Sequence, residues 1–229
     1  LRSVVEGVAD SRVGFILRET ERYGYIDGDI HLTRETSAES PKLDSVLSRP
    51  FFLTGFQDHS NIVEGRWPQG PPTRGEKVVE LEAVLGRDTA SQMGLTVGDR
   101  VDLIPFLRDQ SERISVHVVG LAEPIDPGEE YWMTSTTSYF AIVDQADRMF
   151  APFFITEESF FDGVATQYPS LVGDFTWFLF LNTDVLTASQ VRMTKDALDG
   201  LETDINQRFP RSLVFSGLKL AIQKYERDL

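Results

Sequence analysis

The chain contains no cysteine. Disulfides, thiolate metal sites and cysteine nucleophiles are therefore excluded together. It also has no uninterrupted apolar run of the ~18 residues that a membrane-spanning helix requires, and no signal-peptide pattern. Basic residues are scarce: 22 Lys and Arg stand against 36 Asp and Glu, for a formal charge of −14. A nucleic-acid binder needs a basic footprint to displace counterions from phosphate, and no Lys/Arg cluster stands out here, so no nucleic-acid partner is expected. An anionic membrane surface is likewise expected to repel the chain as a whole. What remains is ordinary for a globular protein. The 229 residues are 41% hydrophobic and 25% charged, which is enough chain for one or two domains with a real core.

Periodicity organises the chain. Leu1, Val4, Val5 and Val8 recur at helical spacing, as do Leu218, Ile222, Tyr225 and Leu229. Neither terminal helix carries a capping signal on its outer side, so the chain is expected to be an excised piece of a longer protein. Tyr25 to Thr33 alternates, with Ile26, Ile30 and Leu32 on one side, and Tyr23-Gly24 before it is read as a hairpin turn. Residues 34–50 are read as a polar loop.

The middle of the chain reads as β-rich, with strands at 77–82, 100–104 and 113–121 and a helix at 84–93 closed by Gly94. A strand is expected at 138–143. Thr156 is expected to cap a helix. The apolar run Phe175 to Leu181 reads as a strand covered on both faces. Thr187 with Gln190 is a capping box ahead of an amphipathic helix, and another strand is expected around Leu213 to Phe215. The resulting expectation is an α+β fold. A strand–helix subdomain is assigned to 1–50 and 135–229, and a β-rich subdomain inserted at 51–134.

Candidates for chemistry are few. The histidines are His31, His59 and His117, and no pair has the spacing of a helical zinc motif. Asp27 and Asp29 would share a strand face about 7 Å apart, a separation usable by a cation or a glycosidase-like pair. Asp126, Glu129 and Glu130 form an acidic loop without the alternating oxygens of a calcium loop. A solvated acidic face explains both sets more simply. There is no Gly-x-Ser-x-Gly elbow, phosphate loop or dinucleotide fingerprint. The chain is expected not to be an enzyme and to hold no metal or cofactor.

Aromatic residues crowd the segment holding Phe150, Phe153, Phe154, Phe160, Phe161, Phe175, Trp177, Phe178 and Phe180. Most are assigned to the core. Phe150, Phe153 and Phe154 are kept as candidates for a partner-contact surface.

Three segments carry a resemblance. They are Val63-Glu64-Gly65-Arg66-Trp67-Pro68, then Gly94-Leu95-Thr96-Val97-Gly98-Asp99, then Val116-His117-Val118-Val119-Gly120-Leu121. Their order and spacing, over about residues 62–132, resemble the extracytoplasmic domain, the MacB-type periplasmic core, of FtsX-like ABC transporter permeases. The resemblance implies a domain on the extracytoplasmic face of the cell membrane, between two membrane helices. It also implies a cytoplasmic ABC ATPase, a second permease subunit, and an extracytoplasmic protein or peptide partner. Such a domain couples ATP hydrolysis to motion outside the membrane, in export or in release of lipoprotein or peptide. Two other readings stay open: a soluble sensor or solute-binding domain with an aromatic pocket, and an acid hydrolase using surface carboxylates.

Overall fold

The computed structural model describes residues 1–33, 46–106, 109, 111–133, 135–145 and 148–227. Among the described residues, five α-helices and eleven strands follow in chain order. Helix α1 is Arg2–Val13, followed by β1 Leu17–Asp27, β2 Ile30–Thr33, β3 Val46–Leu53, β4 Ser60–Gly65, β5 Thr73–Arg74 and β6 Val78–Gly86. Then come α2 Arg87–Met93, β7 Arg100–Ile104, β8 Arg113–Pro124, α3 Thr137–Phe140, β9 Val143–Gln145 and β10 Arg148–Phe154. A π-helical segment Ser159–Ala165, β11 Val172–Leu181, α4 Val191–Arg208 and α5 Gly217–Arg227 complete the chain. The fold is α+β.

The chain divides into two units. Unit 1 comprises Leu1–Glu21 and Trp177–Leu229, and unit 2 comprises Arg22–Thr176. The chain passes between them inside β1 and inside β11. The boundaries expected at 50/51 and 134/135 both fall within unit 2.

Unit 2 is built on a ring of strands. Neighbours run β3–β2–β7–β8–β6–β10, and β10 returns to pair in parallel with β3, from Met149 opposite Val46 to Phe154 opposite Phe51. The six strands close a small barrel, which removes sheet edges along the ring and leaves an interior filled by side chains. That interior holds Leu32, Val79, Leu81, Ala83, Leu103, Ile114, Val116, Val118, Ala151 and Phe153, all buried. The alternation of β6 and β8 follows from their period of two, one set of side chains inward and the other outward. Strand β4 adds to β8, and β5 to β6.

Unit 1 packs α1, α4 and α5 with the outer parts of β1 and β11. Val5, Val8, Ala9 and Val13 of α1 meet Leu198, Leu201 and Ile205 of α4 and Ile222 of α5 in one core. The i, i+3, i+4 spacing in each helix places these residues on one stripe. The capping box at Thr187 and Gln190 forms as expected, and Arg12 Nε donates to Asp204 Oδ2 at 2.8 Å.

Several local expectations are corrected. Strand β1 runs straight through Tyr23-Gly24, and the strand line is broken only by a bend at Gly28-Asp29 before β2 continues it. β1 and β2 do not form a hairpin: both pair antiparallel with β3, so they run in the same direction, end to end along one edge of it, with β10 on the other edge. Residues 84–86 extend β6, so α2 starts only at Arg87. Residues 137–140 are helical where a strand was expected. Of the loop expected at 34–50, residues 46–50 open β3, and 34–45 lie outside the described residues, as does Leu229. Strand β11 alternates between exposed and half-buried positions over most of its length, because it stands at the end of the strand order with one neighbour.

Candidate functional site

The three sequence segments singled out above meet on one strand. Gly65 ends β4 opposite Gly120 of β8, and the Arg66 amide donates to Val119 O at 2.9 Å. Two glycines allow this approach. Gly65 has φ +78, and a Cβ there would sit 2.2 Å from Val119 O. A Cβ on Gly120 would sit 2.4 Å from Arg66 O. No side chain larger than hydrogen fits either position without moving backbone.

From the other side, Gly94 closes α2 in the left-handed conformation, at φ 64 and ψ 33. Asp99 Oδ2 accepts from the Thr96 amide at 2.8 Å and from its hydroxyl at 3.1 Å, which forms the turn into β7. The Gly98 amide then donates to Val118 O at 2.8 Å, and the Val118 amide to Asp99 O at 2.9 Å. Strand β8 is thus gripped at Val118 by one segment and at Val119-Gly120 by another.

An ion pair fastens the same junction. Arg66 donates through Nη1 to Glu82 Oε2 at 2.7 Å and through Nη2 to Glu82 Oε1 at 2.6 Å. The Gln69 amide adds a bond to Oε2 at 2.8 Å. This two-pronged geometry is the strong form of a carboxylate–guanidinium contact. It holds the Glu82 carboxyl below its ordinary range, chiefly through the Arg66 hydrogen bonds, while burial opposes the shift. Trp67 then turns its ring edgewise to Phe56 and Phe154, at 6.1 and 6.0 Å.

The partner-contact candidates Phe150, Phe153 and Phe154 are all buried, and the contact reading of these three is corrected to core. Phe153 faces into the barrel and is fully buried. Phe154 stacks on Phe56 at 4.3 Å, in an aromatic layer with Phe51, Trp67, Trp132 and Phe140. Phe150 lies under the Arg49 guanidinium, 4.0 Å from the ring centre. The pairing of β10 with β3 on one side and with β6 and β9 on the other leaves this strand no free edge.

A cleft of about 270 Å³ lies beside this layer, lined by residues 52–58, Phe154, Thr156 and Glu157. Glu157 forms an ion pair with Arg22, one of whose bonds, Nη2 to Oε2, is 2.9 Å long. Phe154 contributes to the cleft, and Phe153 does not.

The other candidates are scattered. Asp27 ends β1 and Asp29 lies in the break before β2, where it pairs with Arg148. Asp126 Oδ1 accepts from the Gly128 amide at 2.8 Å. Glu129 bonds His59 Nδ1 at 2.9 Å, and the His59 ring stacks on Tyr131. Glu130 opens a short 3-10 turn. His31 and His117 are half-buried strand residues. Among the described residues no group of three or more His, Cys, Asp or Glu could hold a metal ion, and no helix is long and apolar enough to cross a membrane.

No protein-family model matches the chain, and no curated protein matches it.

The pairing of Arg66 with Glu82 has no signal in the sequence: Glu82 lies in the middle of β6, while β4, which leads into Arg66, pairs with β8. In unit 1, residues 213–215 carry no strand where one is expected, although their apolar–polar alternation is real.

Proposed function

We propose that this chain is the extracytoplasmic domain of an FtsX-like ABC transporter permease, a part that transmits force or recognises a partner. The observation that carries the reading is the junction on β8. Three segments matched to the family pattern by order and spacing alone come together as one structural unit, with Gly65, Gly94, Gly98 and Gly120 each at a place that favours glycine. Such residues identify a fold and not a reaction. The sharing of one core by α1 and α5, each packed against α4, also supports it, because a domain set between two membrane helices needs its first and last elements in the same unit. On this reading the domain stands on the extracytoplasmic face of the cell membrane. Its partners are a cytoplasmic ATPase, a second permease subunit and an extracytoplasmic protein or peptide.

The test is the full-length gene product. Apolar spans are expected on both sides of this domain, together with co-purification of an ABC ATPase from membranes. A full-length reading frame without those spans overturns the reading.

The cleft at Phe154 favours a second reading, a solute-binding domain. At about 270 Å³ it falls slightly below the roughly 300–1,000 Å³ usual for small-molecule sites. Saturable binding of an apolar solute, lost in Phe154→Ala but kept in a variant elsewhere in the barrel, would favour it over the permease reading.

A further inference from the structure

The segment between α4 and α5 presents apolar side chains to solvent in a fixed way. After α4, Ser212 closes a turn. Its amide donates to Phe209 O at 2.9 Å, and its hydroxyl to the same oxygen at 2.7 Å. Before α5, Ser216 Oγ accepts from the Lys219 amide at 3.2 Å and caps the helix. Between these anchors the chain is extended, and Val214 packs inward against the unit 1 core. The period of two then turns Arg211, Leu213 and Phe215 outward together. Leu213 is 99% exposed and Phe215 84% exposed. Leu220 and Tyr225 on α5 are about half exposed.

Large apolar groups held out this far need a covering environment. The local charge points to its nature. Within residues 208–227 stand Arg208, Arg211, Lys219, Lys224 and Arg227 against the single acid Glu226, in a chain of net charge −14. These residues are too widely spaced to read as a cluster in sequence. Lys219 is engaged by Asp199 and Glu202. Arg211 and Lys224 are exposed.

We propose that this segment is a docking face for an anionic lipid surface. Leu213 and Phe215 enter the boundary between headgroups and acyl chains, and Arg211 and Lys224 lie among the lipid phosphates. Protruding side chains flanked by cations suit a bilayer, which yields to them. A protein partner would have to supply a matching pocket for each. The charge of the rest of the chain confines contact to this face, since an anionic surface repels the remainder. The proposal rests on unit 1 alone and holds or fails apart from the permease reading.

The absence of cysteine gives a direct test. Gly217→Cys places a thiol where a side chain meets nothing within 4 Å, and a solvatochromic label there reports on the segment alone. The probe is a phosphatidylcholine vesicle with or without phosphatidylglycerol as roughly a third of its lipid. The expected result is a blue shift and co-sedimentation with the anionic vesicles, weakened by salt and absent with phosphatidylcholine alone. Leu213→Ser with Phe215→Ser should lower the partition at least about tenfold. Arg211→Gln and Lys224→Gln should each lower it about fivefold. All four positions are exposed, so unchanged thermal melts are expected to accompany these losses. Three results overturn the proposal: no binding to anionic vesicles, binding unaffected by the serine pair, or a concentration-dependent dimer that the serine pair dissolves.

Discussion

At the scale of single residues, glycine decides whether the junction on β8 can form. Gly120→Ala drives a methyl group into Arg66 O, a backbone atom that cannot swing aside. A loss of about 2–3 kcal/mol is expected in urea unfolding. Gly94→Ala meets no neighbouring atom and bears only the cost of φ +64, about 1 kcal/mol. Equal losses at both positions would show that close approach is not the controlling term. The Arg66–Glu82 pair is partly exposed, with side chains 44% and 24% accessible, so removing it should cost less than Gly120→Ala despite its good geometry.

Tyrosines set the alkaline limit. Burial pushes Tyr139 and, with Asp174 nearby, Tyr25 up to about 12, and Tyr168 likewise reaches about 12. Tyr23 is raised further by burial among Tyr139 and Phe51. These phenols keep their protons longer when folded than when unfolded. The stability they contribute is therefore complete below the ordinary phenol pKa of ~10 and is lost as pH rises through 12. Ultraviolet titration should show fewer ionised tyrosines at pH ~11 than in denaturant, with the missing groups appearing together as the fold gives way.

At the scale of elements, β10 shows what a sequence withholds. Its residues Phe150, Phe153 and Phe154 are apolar enough for either a core or a contact surface, and composition does not choose between them. The choice is made by β3 and β6, whose pairing with β10 depends on residues distant along the chain. Phe153→Ala should cost about 3–5 kcal/mol, the penalty for emptying a well-packed site. Loss of partner binding without loss of stability would restore the contact reading. Elements whose cause is local were legible: the αL closure of α2 by Gly94, the Thr187–Gln190 cap, the Asp99 turn and the stripes of α1 and α4. Thr187→Ala should cost about 1 kcal/mol by thermal melt. The strand expected at Leu213 to Phe215 shows the opposite case. Its alternation is real, but alternation reports which side chains share a face, not whether a neighbouring strand exists. The closing of six strands into a barrel had no signal in any one segment.

At the scale of the whole molecule, the order of the units constrains how they unfold. Unit 1 is made of two chain segments with all of unit 2 between them. Folded, unit 2 holds its own ends together, and the Tyr25 hydroxyl reaches Asp174 Oδ2 at 2.8 Å. Unfolded, it becomes a loop whose closure costs about 4–5 kcal/mol, a large part of a domain's stability. Unit 1 is therefore expected not to outlast unit 2. Trp177 lies in unit 1, and Trp67 and Trp132 lie in unit 2. A variant keeping only Trp177 should lose its native fluorescence at or below the denaturant concentration that unfolds the barrel. Native Trp177 fluorescence persisting beyond that point would contradict the expectation.

The return of β10 to β3 also bears on how quickly this chain becomes itself. Met149 and Val46 are separated by about a hundred residues of sequence, so their pairing cannot precede the ordering of much that lies between. A topology dominated by such distant pairings has high contact order and belongs with the slow folders, on a scale of milliseconds to seconds. Until the ring shuts, β3 and β10 each present a bare edge rich in phenylalanine, and the nascent domain is most open to misassociation in that interval.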